Sequence, residues 1–573
     1  MNPPLASCPS MPRRRTLLQI WFGLFFTFVA VANGNLESVD SAMTMHAARA
    51  LLLRSDSGLR PSAHGAESLA EGLIADEIVS HEAEPVPRYG KRGKNSELRY
   101  VWFPMGHVWL LVPCVALGEV LNRAFPEIEA RYREAAGDNY VFGMFVFDQM
   151  LVALLLPAAS GATIFLLLLL IALLFGCTRR EAALVAVAVL FGSQCFAFAR
   201  ETLSDGPGMA CLLGALYAVV CVHQGSDRRI TLLLGGVAAG MAALTRYPHA
   251  LMVPPLALAV LFALWRRSRP FAVVFFVLGG LPFLVLLCSV NYARHGSMTD
   301  TGYPPFASWF NYPIWFGATK LCIAAGKGIL WLSPMLWLAL PQAARRAVPM
   351  QLRWLAWVLF AIPIVLFGQT NGWQSGQCWG ARYVTPSVVM LLALALPQGK
   401  PFRLWPRTFR CLLCLGIALS VTSVIAPTRG VQQLAAQGVE AMYAQRLADG
   451  TISEADFKSV QDDTADHFSF QPRFSPVHAN WSYAWRSLTG GFEDDNGKPR
   501  NGAQFTIEPL FGITSTKADY TKAPDRWEDR GFRHLWCRFF GALLGVPFWW
   551  LLLIPMVPGL ALLWAAHRGL SKN

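Results

Sequence analysis

Residues 151–176 read "LVALLLPAASGATIFLLLLLIALLFG" and carry no charged side chain. A bilayer's hydrocarbon core takes about 20 apolar residues of helix to cross, so this run, with Met150 before it, has the length and composition of a membrane-spanning helix. Working outward in both directions, runs that span or nearly span occur at 17–33, 150–176, 182–199, 207–223, 230–245, 249–265, 271–290, 328–343, 354–368, 383–398, 410–426 and 536–565. The pattern predicts an all-α polytopic membrane protein with about twelve transmembrane helices.

The composition agrees with that class. Of 573 residues, 54% are hydrophobic and only 15% charged, against about 25% charged in soluble proteins. The net charge of +13 comes from 49 Lys and Arg against 36 Asp and Glu. Those cations lie in short clusters between apolar runs, as topology signals do, so nucleic acid is excluded as a partner. The twelve cysteines mostly sit in or beside apolar segments without metal-binding spacing.

Sidedness follows from the basic loops. With Arg13, Arg14 and Arg15 inside, every second loop is also inside, and these loops carry Arg179-Arg180, Arg228-Arg229, Arg266-Arg267-Arg269, Arg345-Arg346 and Lys400-Arg403-Arg407-Arg410. Each is basic, which fixes one orientation by the positive-inside rule. The parity requires that "MGHVWLLVPCVALGEVL" (105–121) lie at the outer interface rather than cross.

The expected organisation is a cytoplasmic tail and first span (1–33), an outer loop with interfacial helices (34–149), a helical membrane core (150–426), a mixed outer region (427–535), and a last span with its tail (536–573). Within the first outer loop "SAMTMHAARALLLRS" (41–55) predicts a short amphipathic helix, and "RYGKRGKNSELRY" (88–100) a polar loop. In the second, "FEDDNGKPRNG" (492–502) is turn chemistry. The first span also has the basic start, apolar run and small residues of a cleavable signal peptide. No internal repeat stands out.

Polar residues of unusual kinds gather at the outer ends of the predicted helices. They are Asp40 just after the first span, Glu201 and Asp205 in "RETLSDGPG", and Arg246 and His249 in "LTRYPHA". The long loop adds Asn291, Arg294, His295, Asp300, Tyr303 and Lys327, and "GWQSGQCWGARYVTP" (372–386) holds Arg382. Each also has a structural reading: Asp40 and Asp205 can cap the helices they precede, His249 can be a buried interface residue, and Arg246 and Arg382 can snorkel. Taken together, carboxylates and cations at one membrane level suit a lipid-linked phosphate, whose oxygens match arginine's planar fork.

The order and flavour of "VDSAMTMHAARAL", "ARETLSDGPGMACLLGALY", "NYARHGSMTDTGY", "GKGILWLSP" and "WQSGQCWGARYVTP" resemble the GT-C membrane glycosyltransferases, in the branch of the protein O-mannosyltransferases and aminoarabinose transferases. The likeness covers residues 17–426. It implies a GT-C-like fold and a polyprenyl-phosphate-linked sugar donor. It further implies inverting transfer to a glycan, lipid or protein acceptor of unknown kind on the outer, periplasmic face of the inner (cytoplasmic) membrane, or at the endoplasmic reticulum membrane in a eukaryote. Asp40 occupies the place of the general base. A leaving polyprenyl phosphate needs a cation rather than a second acid, so Arg382 is the phosphate candidate, with Arg246 and Lys327 as competitors. Asp205 and Glu201 are expected to face substrate, Tyr303 and Tyr383 to line the site, and Trp373 and Trp379 to offer aromatic faces to a sugar or prenyl tail.

Two departures stand out. Ser41 follows Asp40 where relatives tend to have a second acid, which leaves a divalent metal open and no cofactor assigned. "RYVWFPMGH" (99–107) replaces a Lys-aromatic-Gly-Pro-Gly element, with Arg99 or His107 as stand-ins. The competing functions are a transporter or flippase of polyprenyl-linked saccharides, and a membrane scaffold without chemistry.

Overall fold

A computed structural model describes residues 11–36, 38–66, 68–80, 90–94, 97–137, 144–303, 306–344, 349–370, 378–462, 476–488, 530 and 532–571. The first apolar run forms α1 (Arg14–Ala30), and the chain then turns into α2 (Val39–Arg54), the helix expected from "SAMTMHAARALLLRS". Ser38 caps α2: its hydroxyl accepts from the Ser41 N–H at 3.1 Å, satisfying a donor that the first turn leaves open. Asp40 is thereby released from capping and sits in the first turn, where the helix dipole favours an anion.

After α3 (Leu69–Ser80), two short antiparallel strands, β1 (Gly90–Arg92) and β2 (Arg99–Val101), pair Lys91 with Tyr100. They lead into α4 (Met105–Ala124) and α5 (Pro126–Ala136). The opening run is the long helix α6 (Val146–Leu174), followed by α7 (Arg179–Phe191), α8 (Cys195–Arg200), α9 (Asp205–His223), α10 (Arg229–Thr245), α11 (Val253–Trp265) and α12 (Val273–His295). The expected span at 182–199 is thus divided, because the chain leaves the helix at Gly192 and Ser193 before α8 begins.

Short pieces α13 (Phe306–Trp309), α14 (Ile314–Ile323), α15 (Ile329–Leu332) and α16 (Leu336–Ala344) lead to α17 (Met350–Phe367), α18 (Thr385–Gly399), α19 (Pro401–Leu404) and α20 (Pro406–Ile425). The expected span at 328–343 is divided between α15 and α16 at Ser333-Pro334, where proline cannot supply a backbone N–H. The region beyond α20, whose fold the sequence pattern did not reveal, contributes α21 (Thr428–Ala448), α22 (Glu454–Asp462) and α23 (Pro476–Leu488). Asn480 of α23 donates to the Thr422 carbonyl of α20 at 2.7 Å. The chain ends in α24 (Trp536–Leu544) and α25 (Phe548–Ser571).

Among the described residues, eight helices are long and apolar enough to cross a membrane. All but one coincide with expected spans. The remaining one is α4, which passes by length and composition, yet its neighbours place both of its ends at one end of the bundle. Near its start, Gly106 abuts Leu244 and Thr245 where α10 finishes; near its finish, Gly118 abuts Asp148 where α6 begins. Alternation of α6, α7, α9 and α10 brings those two points to the same side.

α10 and α12 approach each other closely. A Cβ added at Gly236 would lie 1.9 Å from the Phe276 carbonyl oxygen, and one at Gly279 would lie 2.1 Å from that of Leu233. Between apolar helices, where lipid offers no hydrophobic driving force for association, small residues permit this backbone approach. The main core joins α1, α6, α7, α9, α10, α11 and α18 through residues such as Phe28, Leu168, Val189, Leu216, Val260 and Leu391.

The two ends of the bundle differ in charge chemistry. At one end the predicted inner loops meet: Arg267 donates to the His223 carbonyl at 3.1 Å, Arg269 pairs with Asp227 and Arg403 with Glu181. The opposite end holds Asp40, Asp205, Arg246 and Arg382.

Candidate functional site

A cavity of about 680 Å³ opens at that opposite end, a size suited to a small-molecule substrate. Asp40 and Ser41 enter it from α2, His107 from the start of α4, Arg246 from the end of α10, and Arg382 and Tyr383 from the single turn that precedes α18. The connection between α12 and α14 adds Asp300, Tyr303 and Trp309, and Leu366 and Phe367 close the side at the end of α17.

Its central feature is the pair that the sequence left unconnected: Arg382 Nη2 donates to Asp40 Oδ2 at 3.1 Å across 342 positions of chain. Both side chains are partly open, 15% and 26% exposed, so an incoming anion can reach the guanidinium and an incoming hydroxyl the carboxylate. Burial opposes the charge on Arg382, but Tyr383, Asp40 and Asp205 outweigh it and hold its pKa well above the ordinary arginine value. Arg382 remains a cation throughout, its guanidinium 5.3 Å from the Tyr383 ring centroid. Tyr383 in turn stacks on Phe367 at 4.3 Å.

Behind this pair lies a second one. Arg246 is ion-paired with Asp205, the first residue of α9, whose side chain is 1% exposed. Arg246 lines the cavity and Asp205 does not. Asp205 neither caps α9 through its side chain nor faces the open space, and its place is that of a counter-ion behind Arg246. Both arginines are ion-paired.

The other sequence candidates divide. Tyr303 lines the cavity, stacked on Trp102 with centroids 5.1 Å apart and planes 4° from parallel. Burial raises its phenol pKa, keeping it neutral. Lys327 is fully buried and absent from the cavity wall. Desolvation pulls its ammonium pKa down, Cys378 opposes that, Arg382 adds to it and Glu201 opposes it. Lys327, Glu201 and Cys378 are all buried, and none of them is on the cavity wall.

Trp379 is 1% exposed and packs with Ala197 and Leu332, so its ring serves the core rather than offering a face to the cavity. Trp373, like 492–502, lies outside the described residues. His249 is buried against Gly208. Arg294 is spent on Ser57, to which it donates at 2.8 Å, and Asn291 meets the Tyr247 hydroxyl at 3.3 Å. Of the two stand-ins in "RYVWFPMGH", His107 reaches the cavity and Arg99, 3% exposed, does not.

Sequence reasoning missed several lining residues: Thr44, Trp102, Tyr247 and Trp309. Thr44, Trp102 and Tyr247 sit inside segments already singled out, "VDSAMTMHAARAL", "RYVWFPMGH" and "LTRYPHA", whereas Trp309 lies in none of them. It also missed the anchor of α2. Arg49, nine residues beyond Asp40 on the same helix, pairs with Asp148 at 2.9 Å and with Glu119, tying α2 to α6 and α4 at once. Gln194 is another: fully buried, it donates from Nε2 to the Ala381 carbonyl at 3.3 Å, directly before Arg382.

Among the described residues, the donors around Asp40 do not fit a divalent cation. The guanidinium of Arg382 already occupies the carboxylate, and Ser41 Oγ is engaged by Thr202 at 2.6 Å. Among the described residues no group of three or more His, Cys, Asp or Glu side chains is placed to hold a metal.

Comparison with known proteins agrees with the resemblance over part of the chain. Residues 140–292 match the family model described as dolichyl-phosphate-mannose-protein mannosyltransferase. No curated protein matches. Among solved structures, the chain is similar to ArnT from Cupriavidus metallidurans, crystallised with undecaprenyl phosphate. The identity is 16%, 89% of this chain and 84% of that one are covered, and the TM-score is 0.45.

Proposed function

We propose that this protein is a membrane glycosyltransferase that moves a sugar from a polyprenyl-phosphate donor to an acceptor hydroxyl, with inversion, at the end of the bundle opposite its basic loops. By the positive-inside rule that end is the outer, periplasmic one. The contact between the Asp40 carboxylate and the Arg382 guanidinium on the wall of one cavity carries this reading. The family match over 140–292 supports it.

The chemistry needs few groups. The donor's phosphate displaces Asp40 from Arg382 and accepts its paired N–H donors, while Arg246, held by its ion pair with Asp205, adds a second guanidinium to the wall. Freed from the arginine, Asp40 accepts the proton of the acceptor hydroxyl as that oxygen bonds to the sugar's anomeric carbon. The bond from that carbon to the phosphate oxygen breaks, and the electron pair leaves with the polyprenyl phosphate, whose charge Arg382 holds. Attack opposite the leaving group inverts the centre. The proton stays on Asp40 until solvent removes it.

The test is transfer of radiolabelled sugar by purified protein in detergent or liposomes, from a set of polyprenyl-phosphate sugars. Asp40→Asn keeps the size and hydrogen-bonding of the side chain while removing the base. The expected loss is on the order of 10²- to 10⁴-fold in kcat, with affinity for bare polyprenyl phosphate retained. Normal turnover by Asp40→Asn would refute the assigned role.

A further inference from the structure

Beside the Asp40–Arg382 pair, part of the cavity wall consists of aromatic rings that the phosphate and proton chemistry leaves unused. Trp102 follows β2, and Tyr303 and Trp309 come from the connection between α12 and α14. Trp102 stacks on Tyr303, and Trp309 sits edge-on to both, with centroids 5.7 Å from Trp102 and 5.6 Å from Tyr303. All three are only partly buried and all three line the cavity. Thr299, Asp300 and Thr301 line it as well, so the aromatic surface has a rim of hydroxyls and a carboxylate.

Position separates this wall from the one suited to a lipid. Ala250, Leu251, Leu366 and Phe367 are at or beside the ends of the apolar helices α11 and α17, where a prenyl chain has hydrocarbon to run into. The aromatic wall belongs instead to the segment after β2 and to the connection between α12 and α14, which contains the short α13. One ion pair joins them: Lys91 of β1 to Asp300, whose other oxygen accepts from the Gly302 N–H at 2.9 Å.

We propose that Trp102, Tyr303 and Trp309 form a platform for a saccharide ring, whose C–H face stacks on the indole and phenol surfaces while its hydroxyls reach Thr299, Asp300 and Thr301. The proposal rests on the cavity being a glycosyl-transfer site, and it names the chemistry bound on the loop side of Asp40. Aromatic faces give area and orientation, and a few placed polar groups give specificity. Two sources can present such a ring: the sugar of the donor or a saccharide acceptor.

The experiment uses the full-length protein in detergent, with methyl α-D-mannopyranoside and methyl β-D-glucopyranoside as probes of ring binding by saturation-transfer NMR. Bare and sugar-charged polyprenyl phosphate serve as lipid probes. Trp102→Ala is expected to weaken ring binding by about 2- to 12-fold, the range that an aromatic contact supports, and Trp102→Phe to restore part of it. If Trp102→Ala weakens sugar-charged but not bare polyprenyl phosphate, the platform holds the donor's sugar. If glycoside signals persist on protein saturated with sugar-charged lipid and fall in Trp102→Ala, it holds a saccharide acceptor. Equal affinities of wild type and Trp102→Ala for every ring-bearing probe overturn the platform, even if transfer is normal. Absence of transfer together with Trp102-dependent ring binding overturns the catalytic reading instead and leaves the platform standing.

Discussion

Asp205 offers the sharpest separation between a residue that meets substrate and one that orients a residue that does. It is buried to 1% exposure, ion-paired with Arg246, and off the cavity wall, whereas Arg246 is on that wall. If Asp205 acts by aiming the guanidinium, its removal matters only while Arg246 is present. The perturbations are Asp205→Asn, Arg246→Met and the double variant, read out as affinity for bare polyprenyl phosphate. Hydrogen bonds to charged groups contribute about 1.5–3 kcal/mol. Misaiming one therefore costs a good part of that, about 1–2 kcal/mol of coupling, or about 5- to 30-fold in affinity. Asp205→Asn is expected to weaken binding by this factor in the wild-type background and to have no effect in Arg246→Met. Asp205→Ala adds a folding penalty of about 3–5 kcal/mol, because it strands a cation that is only 10% exposed. Equal loss from Asp205→Asn in both backgrounds would show that Asp205 meets the ligand itself.

Three other outcomes follow from particular contacts. Arg382→Lys keeps a charge but loses the planar fork, so its affinity for polyprenyl phosphate should fall about 10-fold, and that of Arg382→Met by a further factor of about 10; titration of lipid phosphate checks both. Gly279→Ala drives a methyl group to 2.1 Å from the Leu233 carbonyl, whereas at Gly280 the nearest atom is 3.3 Å away, so thermal denaturation in detergent should show the first losing about 1–3 kcal/mol and the second much less. Asp300 has a pKa held below its ordinary 3.8: burial opposes this, and it is outweighed by the Lys91 and Gly302 hydrogen bonds and by the charges of Lys91 and His295. The contribution of a lowered carboxylate is complete above the ordinary value and disappears as pH falls through the folded one, so hydrogen exchange at 297–302 should stay slow down to about pH 4 and rise below it, a dependence that Asp300→Asn removes.

The legible part of the fold was whatever depends on local composition over a long window. α6, α9, α12 and α25 are apolar over a bilayer's width, and periodic burial hardly matters to recognising them. Two expected spans were divided because a run of apolar residues does not disclose where a fully buried polar nest interrupts it: Gln194 leaves the helix to donate from its backbone N–H to Ser333 and from its side chain to the Ala381 carbonyl, partners 139 and 187 positions away. The same limit applies to the site. Asp40 and Arg382 were each conspicuous as polar residues at a membrane boundary, yet only the packing of α2 against the turn before α18 makes them a pair. Trp379 looked like a ligand face because tryptophan near glycine and arginine suggests one; its burial against Ala197 and Leu332 depends on α8 and α15, which the local sequence does not encode.

The distribution of buried charge bears on the rival reading as a transporter. A carrier that passes a saccharide phosphate across the bilayer needs polar groups along the path, near the middle of several spans. In the described helices α9, α10, α17 and α18, charged side chains stand only at or near the termini: Asp205 opens α9, Arg229 opens α10 with Arg246 next after its end, Arg353 lies in the first turn of α17, and Arg382 precedes α18. Between those termini α18 buries Val388, Val389, Leu391, Leu392, Leu394 and Leu396, a surface with nothing to offer a sugar hydroxyl or a phosphate. Ions can be held at one end and have no polar route to the other along these helices. The cavity gathers the Asp40 and Asp300 carboxylates and the Arg246 and Arg382 guanidiniums at one end of the bundle, an arrangement that favours the proposed chemistry on a lipid-linked donor over translocation.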